Sequence, residues 1–144
     1  LSQPQANKER VIIRTSLSGS VPQVVADQRS LRQIILNLVT NGIKFNRSGG
    51  QVIVSTAYDE NGEVVLRIRD TGEGMSQNDL QRAMKPFTQL NTVPDFRREG
   101  TGLGLPLTKA MVEANRAKFH IESEPGKGTL VEITIPTQRV LAER

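Results

Sequence analysis

The stretch Val64-Val65-Leu66-Arg67-Ile68-Arg69-Asp70, running on into Thr71-Gly72-Glu73-Gly74-Met75, decides the reading of this 144-residue chain. Val64, Leu66 and Ile68 alternate with Val65, Arg67 and Arg69, a period of two that sends one set to the buried face of a strand. Asp70 falls in phase with the apolar set, and a carboxylate facing a core must be hydrogen-bonded or neutralised. The strand then enters a glycine-bearing turn, where backbone or ligand can approach closely. Two uses of Asp70 fit these residues: an acceptor for a ligand's N–H group, or a side chain that caps its own turn.

Working outward, Asn61-Gly62 joins this strand (63–70) to a preceding one over 51–58 as a hairpin. Upstream, Asp27 is the expected N-cap of a long helix over 28–46, with Leu31, Ile34, Ile35, Leu38 and Phe45 as its apolar stripe. Asn37, Asn41 and Lys44 share a flank bordering that stripe. An Asn can give a carbonyl oxygen to Mg²⁺ and a Lys can meet phosphate charge, although a solvated polar flank fits the same pattern.

Downstream, Ser76 and Asp79 predict a capped short helix over 77–84. Residues 85–101 lack periodicity, and so long an irregular segment in a compact domain is usually functional or mobile. Gly100-Thr101-Gly102-Leu103-Gly104-Leu105 then opens a helix that starts near Gly102 and runs to about Ala114. Pro106 suits its first turn, with Leu107, Ala110, Met111 and Ala114 expected on one face. Glycine amides at a helix N-terminus make a natural anion site. The run lacks the Gly-Lys-Ser/Thr ending of a P-loop, and no strand precedes it as a dinucleotide fingerprint requires.

Strands over 10–15, 118–123 and 129–135 complete the set, the last two joined at Gly126-Lys127-Gly128. The expected fold is α/β, a two-layer sandwich of a mixed, largely antiparallel sheet and three helices. Residues 1–9 read as a linker or tail, 10–136 as one domain and 137–144 as a C-terminal tail.

Composition is that of a globular domain, 36% hydrophobic and 24% charged, with a core that must be aliphatic because only 3% of residues are aromatic. The net charge of +4 is scattered with little aromatic interleaving, so no nucleic-acid partner is expected. Without cysteine there is neither disulfide nor thiolate metal site. No apolar run is long enough to cross a bilayer and no basic-then-apolar leader opens the chain; the lack of cysteine fits a reducing cytosol, and the expectation is a cytoplasmic domain without direct membrane contact.

The order of these pieces resembles the histidine-kinase branch of the ATPase superfamily shared with gyrase B, Hsp90 and MutL. The resemblance runs from about Val11 to Pro136. Leu31 to Phe45 looks like the N box, Asp70 to Met75 the first glycine box, Lys85-Pro86-Phe87-Thr88 the F box, and Gly100 to Leu105 the second glycine box. It implies the Bergerat-type fold and ATP with Mg²⁺ as ligands. By the same resemblance Asp70 would accept from the adenine amino group, with Gly72 and Gly74 letting backbone pass close to the base. Asn41 would ligate Mg²⁺, with Asn37 beside it and Lys44 near the phosphates. Gly100 and Thr101 lead into Gly102, Leu103 and Gly104, whose amides would face the phosphates. Residues 87–101 would form a mobile lid anchored by Phe87, with Arg97 or Arg98 on phosphate, and Thr129 would support an adenine-bound water.

Two positions depart from the family pattern. Asn115-Arg116-Ala117 stands where His-Gly-Gly is frequent, and is similar to the PleC/DivJ/PdhS group of cell-cycle kinases. Gly42 stands where the N box usually has alanine.

The resemblance implies a kinase module that passes the γ-phosphoryl group of ATP to a histidine on a separate dimerisation helix, upstream of residue 1. Partners would be those helices and a downstream response regulator, the isolated domain being a monomer. The one histidine, His120, alternates with Phe119 and Ile121 and is expected on an exposed strand face. A self-contained ATPase clamp would need a water-activating glutamate where this chain has Asn37, which is no general base at neutral pH. A nucleotide sensor without catalysis is the third reading.

Overall fold

The computed structural model describes residues 4, 6–7, 10–16, 23–24, 28–85 and 104–141. Asp27, and Phe87 through Leu103 with the expected lid, lie outside them.

The described elements are β1 (Ile12–Ser16), β2 (Gln23–Val24), α1 (Gln28–Lys44), β3 (Gln51–Tyr58), β4 (Val64–Asp70) and α2 (Gln77–Ala83). They continue with α3 (Leu105–Ala114), β5 (Lys118–Glu124), β6 (Gly128–Ile135), a 3₁₀ turn (Thr137–Arg139) and β7 (Val140–Leu141). One five-stranded sheet has the order β1-β3-β4-β6-β5. β1 lies parallel to β3, and every other neighbouring pair is antiparallel. This is the mixed sheet with three helices that the patterning implies.

Alternation along β4 does what it promised: Val64, Leu66 and Ile68 join the core, where they meet Val131, Ile133 and Ile135 of β6 and Ile34, Leu38 and Ile43 of α1. Val65 is also buried, outside that cluster. The loop and capping chemistry is equally local. Asp59 Oδ1 accepts from the amides of Asn61 and Glu63, and Gly62 takes φ +78°, closing the β3–β4 hairpin. Ser76 Oγ accepts from the Asp79 amide at 3.1 Å and starts α2.

Four expectations need correction. α1 ends at Lys44, two residues early, and beyond it Asn46 donates to the Gln51 carbonyl at the start of β3 and Arg47 to the Gly72 carbonyl. Its buried surface is wider than the apolar stripe and takes in Val39, Gly42 and Asn37, since α1 is covered by the sheet on one side and by α3 on the other. α3 begins at Leu105 and buries Leu105, Thr108 and Val112, leaving Leu107, Ala110 and Ala114 exposed. Thr108 can face inward because its hydroxyl meets Asn37, which a purely apolar stripe does not anticipate.

Last, Ala6 and residues 137–141 join the fold. Val140 and Leu141, expected in a tail, pair antiparallel with Gln23 and Val24, and Thr137 Oγ1 donates to the Asn61 carbonyl at 2.8 Å. Ala6, expected in a linker, is fully buried, and its carbonyl accepts from the Val11 amide at 2.9 Å.

Candidate nucleotide-binding site

The inner face of the sheet carries one row that is polar. Ile68, Val131 and Ile121 stand side by side on β4, β6 and β5, and two residues along the strands the same register gives Asp70, Thr129 and Ser123. Sheet geometry places directly opposed residues on one face, so these three form a polar edge to an aliphatic core.

Of the two uses that its sequence position allows, the structure shows the turn cap of Asp70 directly. Its Oδ1 accepts from the Gly72 amide at 2.9 Å and from the Thr129 amide at 3.3 Å, which caps the turn. Both bonds fall on one oxygen, and among the described residues none falls on Oδ2. Burial pushes the Asp70 carboxyl above the ordinary carboxylate range, partly offset by those two amide bonds. A half-buried carboxylate with an uncommitted oxygen is a directional acceptor for a ligand's N–H group.

The turn after Asp70 is held by its surroundings. A side chain at Gly72 would lie 2.5 Å from the Phe45 carbonyl and 2.9 Å from Asp70 Oδ1. At Gly74, with φ +70°, it would collide with the Glu124 carbonyl. The close approaches that require these glycines are therefore to the chain's own backbone, rather than to the adenine alone as the resemblance implied. The Arg47 guanidinium spans two loops, donating to the Gly72 carbonyl at 3.0 Å and the Gly126 carbonyl at 3.2 Å. The Glu73 carbonyl accepts from the Gly126 amide at 2.7 Å. Thr71 Oγ1 accepts from the Gln51 amide at 2.8 Å, tying the turn to β3.

α1 packs its Gly42 side against the end of β4: a Cβ on Gly42 would touch the Asp70 Cβ at 3.4 Å. Asn37 is buried, not at a solvated edge; its Oδ1 accepts from Gln33 Nε2 at 2.7 Å and its amide faces Thr108 Oγ1 at 3.5 Å. Asn41 is partly exposed and its side chain makes no hydrogen bond among the described residues. Lys44 is half-buried at the last turn of the same helix. Through Thr108, Asn37 links α1 to the first turns of α3, whose N-cap is Gly104. Gly104 supplies no side-chain cap, so the leading amides of α3 are not claimed by one.

Of the residues assigned to the lid and the second glycine box, only Gly104 and Leu105 are described; Phe87, Arg97, Arg98, Gly100, Thr101, Gly102 and Leu103 lie outside the described residues. No cluster of three or more His, Cys, Asp or Glu side chains able to hold a metal occurs among the described residues. The donor set fits Mg²⁺ nonetheless, because that ion is usually held by one or two protein oxygens together with phosphate and water. The Asn41 carbonyl oxygen is such a donor. His120 is exposed, as expected, and its Nε2 lies 2.7 Å from Glu122 Oε2.

Ser123, Thr108 and Arg47 were not anticipated. Ser123 is in phase with Phe119 and Ile121, so the buried-phase signal that marked Asp70 marks it too. Thr108 falls three residues after Leu105 and four before Val112, which helical spacing could have found. Arg47 carries no periodic signal.

Asp70 at the polar edge, the start of α3 at Gly104 and the asparagines of α1 are the candidate contacts, and comparison with known proteins gives the family of the domain. Residues 26–139 match the family model for the histidine kinase-, DNA gyrase B- and HSP90-like ATPases, and the chain belongs to that family. Within it, the chain is a catalytic ATPase domain of the histidine kinase type. It is 58% identical over 151 aligned residues to the cell-division control histidine kinase PdhS of Brucella canis, covering 99% of this chain and 15% of that protein. The PdhS of Brucella anthropi is likewise 58% identical over 99% of this chain and 14% of its own length. The chain thus spans about a seventh of the relatives it matches. Full-length ShkA in complex with AMPPNP superimposes with a TM-score of 0.80 at 26% identity, over 99% of this chain and 28% of ShkA. The catalytic domain of histidine kinase ThkA shares the fold, with a TM-score of 0.72 at 17% identity over 94% of this chain and 85% of that chain.

Proposed function

We propose that this domain binds Mg²⁺-ATP and donates its γ-phosphoryl group to a histidine on a separate dimerisation domain of a larger two-component kinase. The single observation that carries nucleotide binding is Asp70, with Oδ1 engaged by the Gly72 and Thr129 amides and Oδ2 left to accept from an adenine amino group. Asn41 would bring Mg²⁺ to the phosphates, Lys44 would add positive charge, and the amides at Gly104 would receive phosphate oxygens. In the transfer the bond from the γ-phosphorus to its bridging oxygen breaks, a bond to an imidazole nitrogen forms, and ADP leaves.

Transfer rather than hydrolysis is supported by Asn37. A side-chain amide cannot take a proton from water at neutral pH, and its oxygen is already accepting from Gln33. The ATP analogue named with ShkA, and the names of the PdhS proteins, support the same reading. A response regulator would then take the phosphoryl group from the histidine, with the domain working in the cytoplasm.

The test is to mix the chain with the histidine-bearing helices of its parent kinase and γ-labelled ATP. Label appearing on the helix histidine, dependent on both components and on Mg²⁺, is the expected result. Tight nucleotide binding with no transfer would favour a sensor module. Release of free phosphate without transfer would favour an ATPase clamp.

A further inference from the structure

Ser123 is buried on β5, and its hydroxyl meets three groups. The Met75 amide lies at 2.8 Å, the Gly128 carbonyl at 3.1 Å and the Thr129 hydroxyl at 2.8 Å. An amide can only donate and a carbonyl can only accept. Ser123 has one proton, for which the Gly128 carbonyl and the Thr129 hydroxyl compete; the arrangement that satisfies all three contacts puts it on Gly128 and forms the Ser123–Thr129 bond with the proton of Thr129. The Thr129 oxygen then keeps only lone pairs for anything else. Beside it, the Thr129 and Gly72 amides are already spent on Asp70 Oδ1. The polar row therefore offers acceptors to a ligand, Asp70 Oδ2 and Thr129 Oγ1, and holds its donors inward.

We propose that Ser123 is a positioning residue for base selection, which fixes the Thr129 hydroxyl as an acceptor and so favours a 6-amino purine over a 6-oxo purine. The inference rests on the site being one for ATP. A base carrying N–H at position 6, directly or through a bridging water, finds acceptors in register; a carbonyl there meets lone pairs. Removing the Ser123 oxygen frees the Thr129 proton to turn toward the ligand, and the row then tolerates a carbonyl.

The experiment is calorimetric titration of the chain with ATP and with ITP, each with Mg²⁺, for wild type, Ser123→Ala, Ser123→Thr and Thr129→Val. The expected result is a wild-type preference for ATP that falls about fivefold in Ser123→Ala, the size of one hydrogen bond's net effect. Ser123→Thr, which keeps the hydroxyl on a strand, should restore it. A merely structural Ser123 would weaken both nucleotides equally, and an unchanged ATP/ITP ratio in folded Ser123→Ala overturns the proposal. Ser123→Ala also strips the Met75 amide of its acceptor, so if it fails to fold, Thr129→Val decides. A lowered ratio there supports the inference and a wild-type ratio overturns it. Wild type that binds neither nucleotide overturns the site reading itself, whereas a wild-type ATP preference with an unmoved ratio in the variants overturns this inference alone.

Discussion

The Thr129 amide donates to Asp70 Oδ1 at 3.3 Å, so the residue at the end of β4 is held by its direct neighbour on β6 as well as by its own turn. That arrangement keeps a carboxylate at the edge of an aliphatic core with one oxygen committed. It also sets a tension between stability and binding. Burial raises the Asp70 pKa, so the folded state holds the Asp70 proton more tightly than the unfolded chain does. The contribution to stability is full below the ordinary value of 3.8 and is lost as pH rises through the raised folded value. At neutral pH the ionised side chain is a cost to the fold.

The first prediction follows from that sign. Asp70→Asn keeps an oxygen for the two amides and removes the charge, so the nucleotide-free variant should be at least as stable as wild type at pH 7. Its advantage should shrink as pH falls toward 3.8. Urea unfolding across pH checks this; a neutral-pH loss above about 1 kcal/mol would contradict it.

Arg116 is strained in a definable way. The Arg116 amide donates to the Glu113 carbonyl at 2.9 Å and the Ala117 amide to the Val112 carbonyl at 3.2 Å, the Schellman closure of α3. Arg116 occupies its left-handed position with φ +63°, where glycine is usual. Arg116→Gly should stabilise the fold by about 1 kcal/mol, seen as a rise of a few degrees in the melting temperature.

Gly42 sits where helix propensity alone argues for alanine, worth about 1 kcal/mol. A Cβ there would lie 3.1 Å from Val52 Cγ2 and 3.4 Å from Asp70 Cβ. Val52 is fully buried and β-branched, so it has little room to give. Gly42→Ala alone should therefore fail to stabilise. Combined with Val52→Ala it should recover about 1 kcal/mol relative to the sum of the single changes, which a double-mutant cycle measures.

Much of this was legible beforehand because it is periodic. Strict alternation in β4 located Asp70, the Asn61-Gly62 turn located the hairpin, and Ser76 located the start of α2. What escaped lacks a period or depends on a distant partner. Thr108 faces the core because Asn37 receives it 71 residues away in sequence. Arg47 matters through two backbone carbonyls, and the pairing of Val140 and Leu141 with Gln23 and Val24 joins segments far apart in sequence. Nothing local announces any of these.

Thr108 offers a check on that long-range contact. It is fully buried, and its oxygen is the partner of the Asn37 amide at 3.5 Å. Thr108→Val preserves shape but leaves the amide without that partner, and should cost about 1 kcal/mol in chemical unfolding, at the low end because the bond is long. No loss at all would mean that the α1–α3 contact is held by packing alone.

The most direct test of the account is calorimetric titration of wild type and Asp70→Asn with Mg²⁺-ATP. Loss of a carboxylate acceptor from the adenine edge predicts an affinity lower by about 1.5–3 kcal/mol, roughly tenfold to more than a hundredfold, in a variant that remains folded. Equal affinity in the two proteins would contradict the assignment of Asp70 as the residue that recognises the base.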